Sequence, residues 1–296
     1  MRSLKLIFMI LLLVGSLQAV TLFTQSFNNS VVPDYWVIAG MENALPNLTS
    51  EGTDKTLNDF FYYYDEETET YEPLGFLRLT DFDSSYDRAW AYYTRYTFNI
   101  KGKWQVEITF RIGDIAQDPT QNDGGDGLTL TFLDANTVKT DGVFNSAKVE
   151  GGYGTFMGTP HGTNDGWQIE GSQGYVPGLK GFAFALDHYD TSADNNLEQH
   201  NTLDPSETLR WYKLDNWTEP VAYYPTLSDQ TFYYNNGSTT IRLVGDDGQI
   251  TCYYGQNFAN TWSFNIDAMT EDYEAYLGIT AGTGGSYAYH DVSYVK

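Results

Sequence analysis

The stretch Trp104-Gln105-Val106-Glu107-Ile108-Thr109-Phe110-Arg111-Ile112 alternates without a break: five apolar side chains fall on odd steps and four polar ones between them. Successive side chains of an extended chain point to opposite faces, so this period describes a strand with one face buried and one wet. The same period recurs at Leu128, Leu130 and Phe132, at Phe182, Phe184 and Leu186, at Ile241 and Leu243, at Ile250, Cys252 and Tyr254, and at Tyr287 and Tyr289. Asn236-Gly237 and Asp247-Gly248 punctuate these runs as hairpin turns do. No window of helical period is long enough to predict a helix. Many short strands with Gly-rich connections predict an all-β chain, an antiparallel β-sandwich of the jelly-roll type.

Outside the strands, two long stretches lack this alternation. Residues Glu51 to Tyr71 are acidic and Tyr-rich and predict a long loop or an inserted hairpin; residues Gly151 to Gly181 are Gly-rich and irregular. No linker or change of composition divides the chain after its leader. Long loops on a rigid sandwich are the usual place for a binding site.

At the N-terminus, Arg2 and Lys5 precede an apolar run from Leu6 to Val14, and the small residue Ala19 follows. This is the pattern of a signal peptide over residues 1–19, with a mature domain over residues 20–296 starting near Val20. The apolar run is too short to span a bilayer, and no later stretch is apolar enough, so a mature chain without membrane insertion, secreted or at the cell surface, is expected. The sequons at Asn28, Asn47, Asn216 and Asn236 suit that route.

The one cysteine, Cys252, allows no internal disulfide, so stability rests on the core, for which the 16% aromatic residues offer ample surface. With 16 basic against 39 acidic residues, the chain repels phosphate backbones and anionic lipids, which argues against nucleic acid as a partner.

Two segments concentrate oxygen-bearing side chains: GGDGLTLTFLD, Gly124 to Asp134, and GFAFALDHYDTSADNN, Gly181 to Asn196. In the second, Asp187 alternates away from the Phe182, Phe184 and Leu186 face, and Asp190, Asp194, Asn195 and Asn196 follow closely. A hard cation such as calcium takes such ligands, although Asp, Asn and Ser at this spacing also build plain turns.

These segments, with GFLRLT (Gly75 to Thr80), AWAYY (Ala89 to Tyr93), TFRIGD (Thr109 to Asp114) and AYLGITAGTG (Ala275 to Gly284), resemble the L-type lectins, the legume lectins and their secreted prokaryotic relatives, in the order that family has them. The resemblance implies a concanavalin-like sandwich that binds glycans or glycoconjugates, with oligomerisation left open. It implies that Asp126 of Gly125-Asp126-Gly127 accepts hydrogen bonds from two sugar hydroxyls. It implies a backbone amide donor at Gly166, with Gly151-Gly152-Tyr153-Gly154 as the other candidate loop. An amide donor at Asn195 or Asn196 and an aromatic under the sugar ring at Trp167 complete that set. For the ion it implies calcium held by Asp187, the carbonyl of Tyr189, and Asp190 or Asp194.

The departures from the family bear on the metals. Its Glu-x-Asp reads Ala185-Leu186-Asp187 here, and its Asn, second Asp and His fall on Thr191, Asn196 and Asn201, so a transition-metal site is not expected. Glycoside hydrolases share this sandwich, and Ala185 to Asp190 echoes their Glu-x-Asp-x-x-Glu. With Ala185 in the place of one carboxylate, the required pair is incomplete and catalysis is not expected. His188, His200, Ser192 and Cys252 form no recognisable triad. A surface protein that keeps the fold without binding sugar is the other reading.

Overall fold

The computed structural model describes residues 21, 23–28, 32–42, 53–81, 87–113, 127–152, 158–162, 174–187, 208–216, 221–224, 238–266, 272–283 and 288–296. Strands dominate, and they form two main antiparallel sheets. Among the described residues the smaller sheet has seven strands. Gln25–Ser26 and Leu77–Thr80 flank Tyr289–Val295 on one side, and Trp104–Gly113, Thr239–Asp246, Gln249–Tyr254 and Asn260–Asn265 follow on the other. The larger has nine, running Ala222–Tyr224, Thr208–Lys213, Gly181–Asp187, Gly127–Asp134, Glu274–Gly282, Arg88–Tyr93, Trp36–Glu42 and Thr53–Asp54, with Phe98–Asn99 also on Glu274–Gly282. The predicted antiparallel sandwich is the observed one.

The alternation does what its period requires. Val106, Ile108, Phe110 and Ile112 are buried while Glu107, Thr109 and Arg111 between them are half-buried. They meet Leu128, Leu130 and Phe132, Phe182, Phe184 and Leu186, and Leu277 and Ile279 of the larger sheet in one core. Each such side chain, fully withdrawn from water, contributes about 1.5–3 kcal/mol before the cost of ordering the chain. Asp247 and Gly248 form the predicted two-residue turn, both with positive φ (52° and 79°), and Asp246 pairs with Gln249 across it. Asn236-Gly237 lies outside the described residues.

The Tyr-rich stretch proves to be a helical turn, Leu57–Phe61, followed by a hairpin of Tyr62–Asp65 with Thr70–Pro73. Phe60 and Phe61 are buried in the sandwich core, which anchors the insertion, while Tyr64 and Tyr71 pair across its strands with ring centroids 5.3 Å apart and stay exposed.

The face of the larger sheet turned away from the sandwich is also covered. The chain leaves the sheet after Asp134 and returns at Gly181, where Leu133 and Gly181 are register partners and the Asp134 amide donates to the Lys180 carbonyl at 3.0 Å. Within this excursion Ala135, Val138, Val149 and Leu179 pack on Trp90, Tyr92, Leu133, Ala183, Ala185, Tyr212 and Tyr276 of the sheet, forming a second core. Its polar anchor is a ring of three fully buried hydroxyls, those of Thr129, Thr159 and Thr280, each hydrogen-bonded to the other two. Gly158 beside it has φ +72°, and a Cβ there would lie 2.1 Å from the Ala281 carbonyl oxygen, so only glycine allows so close an approach.

Candidate functional site

Seven strands of the larger sheet reach one end in register. Reading across that row, Thr208 pairs with Asp187, Asp187 with Gly127, Gly127 with Gly282, Gly282 with Arg88, Arg88 with Met41, and Met41 with Asp54. Gly127 and Gly282 put no side chain into the middle of the row, so its floor there is bare backbone between Asp187 and Arg88. Several connections depart from this row or one residue beyond it: 43–52, 82–86, 114–126, 188–207 and 284–287.

The sequence-predicted residues relate to this end as follows. Asp187 ends its strand in the row, and its backbone position is described. Asp126 directly precedes Gly127. Tyr189, Asp190, Asp194, Asn195 and Asn196 follow Asp187 in the same connection. These residues, together with Gly166 and Trp167, lie outside the described residues. What the structure brings together is therefore the two strand ends from which the Asp126 loop and the predicted ion loop start.

The two candidate glycine loops differ in their surroundings. Gly151 is fixed near the row, its carbonyl accepting from Arg88 Nη1 at 2.9 Å. The amide of Gly152 is already engaged, donating to the Thr159 carbonyl at 3.1 Å. The stretch that carries Gly166 and Trp167 begins after Gly162, whose amide donates to the Leu214 carbonyl at 2.6 Å. Leu214 lies past Lys213, at the opposite end of its strand from Thr208, roughly 20 Å away at the rise of a strand. The same stretch returns at Gly174, where a Cβ would lie 2.3 Å from the Gly152 nitrogen.

Ala185 offers no ligand, and its register partner Arg210 is buried on the same face, donating to Tyr212 Oη at 3.2 Å, so a fixed positive charge already stands beside it. Among the described residues no group of three or more His, Cys, Asp or Glu side chains could hold a metal ion.

The sequence reading missed two charged groups. Lys55 and Asp87 form an ion pair at 3.2 Å with both side chains fully withdrawn from solvent. On the other sheet, Asp291 accepts from Arg78 Nε at 2.9 Å and from Arg111 Nε at 2.7 Å. Arg78 also lies 3.8 Å over the Tyr289 ring. Burial works to lower the Arg78 pKa, but the charges of Asp291 and Asp81 outweigh it and hold the guanidinium above its ordinary value.

No family model matches the chain, and no curated protein matches it by sequence. Solved structures do match it in fold. The VIP36 exoplasmic/lumenal domain in its Ca2+/Man2-bound form superposes with a TM-score of 0.54 at 15% identity, covering 92% of this chain and 85% of that one. Lectin II from Ulex europaeus gives 0.53 at 12% identity, covering 93% and 97%. The legume lectin-like domain from Entamoeba histolytica gives 0.51 at 12% identity, covering 94% and 98%. The fold of this chain is that of the legume-lectin-like domains.

Proposed function

We propose that the chain is a secreted carbohydrate-binding protein of the lectin kind. The observation that carries the reading is the register pair of Gly127 and Asp187, which starts the Asp126 loop and the acidic loop side by side at one end of a lectin-fold sheet. In this reading Asp126 accepts from two hydroxyls of a sugar, Gly166 donates a backbone amide, Asn195 or Asn196 donates a side-chain amide, and Trp167 covers the apolar face of the ring. A polyol is recognised by such preplaced donors and acceptors with an aromatic beneath it. Calcium, held by Asp187, the Tyr189 carbonyl and Asp190 or Asp194, would fix the acidic loop; VIP36 and its Ca2+-bound forms support this by likeness of fold. Residues 1–19 act as the signal peptide and 20–296 as the lectin domain. Exposed Asn28 and Asn216, each in a sequon, suit a secretory route.

Hydrolysis is disfavoured on two grounds. Ala185 leaves the carboxylate pair incomplete, and the face of the sheet that could floor a long cleft is occupied by the 135–181 excursion. A lectin fold that has lost sugar binding, serving as a structural or adhesive surface protein, is the second reading, favoured by Arg210 beside Ala185. The experiment that decides is a panel of immobilised glycans probed with the mature chain, with and without calcium. Retention of a defined glycan supports the lectin; a folded chain that retains none, calcium present, favours the surface protein.

A further inference from the structure

We propose that Arg95, with the exposed tyrosines Tyr35 and Tyr96, forms a second ligand site that takes a carboxylated sugar of the uronic- or sialic-acid type. It lies at the opposite end of the larger sheet from the row that holds Asp187, Gly127 and Arg88. Tyr93 pairs with Trp36 there, five residues along its strand from Arg88 and about 17 Å away at the rise of a strand. The site is therefore separate from the one proposed above, and neither needs the other.

Tyr35 is held in a conformation that a bulky residue rarely adopts, with φ at 67°. Its carbonyl accepts twice from Thr94, from the amide at 2.8 Å and from Oγ1 at 2.9 Å, and these bonds fix the strained turn. Backbone strain persists only where its surroundings enforce it, and it gathers at ligand clamps. Burial does not account for this one, since Tyr35 stays 50% exposed, and Tyr96 beside it 40%. Packed rings support the pair from below: Tyr93 lies 6.2 Å from Tyr96 between ring centroids, and Phe23 stacks on Tyr93 at 4.0 Å.

The Arg95 guanidinium lies 4.5 Å from the Tyr35 ring centroid and 5.0 Å from that of Tyr96. Among the described residues it has no carboxylate partner, in a chain with 39 acidic residues against 16 basic ones. The neighbouring acids are not spent on it: Asp34 is exposed, and Glu274 Oε2 accepts from Thr97 Oγ1 at 3.1 Å. A guanidinium stacked on rings keeps its N–H edge open, and that edge matches a planar carboxylate with two parallel hydrogen bonds. A bare carboxylate would use Arg95 and leave both rings idle, whereas a sugar acid also brings an apolar C–H face to stack on them. Polyphosphates and heavily sulfated chains fit less well, because a net charge of −23 repels them more than it repels a single charge.

The test presents the protein with immobilised glycans ending in glucuronate, galacturonate or sialate, each beside its neutral methyl ester. The expected result is retention of at least one carboxylated glycan, with its ester bound about tenfold more weakly or worse. Arg95→Gln should lose binding to the same degree with the melting temperature unchanged. Tyr35→Asn removes the ring while tolerating the left-handed backbone, so binding should fall and the melting temperature hold or rise. A lower melting temperature with binding intact in Tyr35→Asn would make the ring structural and overturn the proposal. A folded chain that retains none of the three carboxylated glycans overturns it, as does equal retention of the esters. Competition by acetate as effective, mole for mole, as by the free sugar acid also overturns it, since the rings then contribute nothing. Retention of a neutral glycan at the opposite end should be the same in Arg95→Gln as in the unaltered chain, so failure here leaves the lectin reading standing.

Discussion

Gly127 is the register partner of Asp187. The chain therefore enters one strand at Gly127 and leaves the next at Asp187 on the same level, so the connection that ends with Asp126 and the one that begins with His188 join the sheet at paired positions. This proximity is what makes the two acidic segments a single candidate site, and it gives each of them its own test.

For Asp126, the expected outcome is a separation of binding from stability. Asp126→Asn keeps the size but turns one acceptor oxygen into a donor facing a sugar hydroxyl. Charge-assisted hydrogen bonds contribute about 1.5–3 kcal/mol each, so glycan affinity should fall tenfold or more with the melting temperature little changed. Calorimetric titration against the retained glycan, beside a thermal melt, reads both. A large drop in melting temperature with intact affinity would make Asp126 a turn residue.

Calcium should raise the melting temperature, because an ion bound only by the folded state stabilises it by mass action, about 2.7 kcal/mol at a hundredfold excess over its dissociation constant. Asp187→Ala should abolish the rise. Differential scanning fluorimetry across a calcium series checks it, and an unchanged melt at millimolar calcium would remove the ion from the reading.

On the smaller sheet, Asp291 is held by two guanidiniums and is almost wholly buried. Asp291→Asn leaves Arg78 without its main counter-charge, and breaking a buried pair from one side costs about 3–5 kcal/mol. A fall in melting temperature of roughly 10 °C is expected, with glycan affinity unaltered well below the transition.

Alkaline pH should unfold the chain in a defined window. Burial raises the pKa of Tyr92 and Tyr273 above the ordinary 10.0. A neutral group whose folded pKa is raised contributes stability that is whole below pH about 10 and is lost as pH climbs from there toward the folded value, because only the unfolded chain ionises. Chemical denaturation from pH 8 to 11.5 should show stability level at first and then falling, and Tyr92→Phe should make the fall shallower. An identical slope in that variant would place the loss elsewhere.

How much could be read beforehand depended on whether a residue's surroundings leave a local trace. Trp104–Gly113 was legible because one of its faces is buried and the other is not. Glu274–Gly282 is buried on every residue but the first, so alternation says less there, and the resemblance to lectins located that segment instead. The five-residue helical turn at Leu57–Phe61 is too short for a period to register. The later part of the excursion, Gly151 to Gly181, read as irregular, since its apolar residues Val176 and Leu179 meet a sheet face rather than repeat along a strand. Asp126 was named from the resemblance to lectins and lies outside the described residues, whereas the Lys55–Asp87 pair was not read at all, because an ion pair between distant segments leaves no pattern in either one.

That excursion begins and ends at neighbouring positions, with Leu133 beside Gly181, so the strands it joins do not depend on its length to keep their register. It behaves as a removable cover. A chain with the same sheet and a short turn in its place would show to solvent a wall of Trp90, Tyr92, Tyr212 and Tyr276, which is here a second interior. One connection thus decides whether this face of the sheet is an aromatic wall open to solvent or a second interior, without altering a single strand.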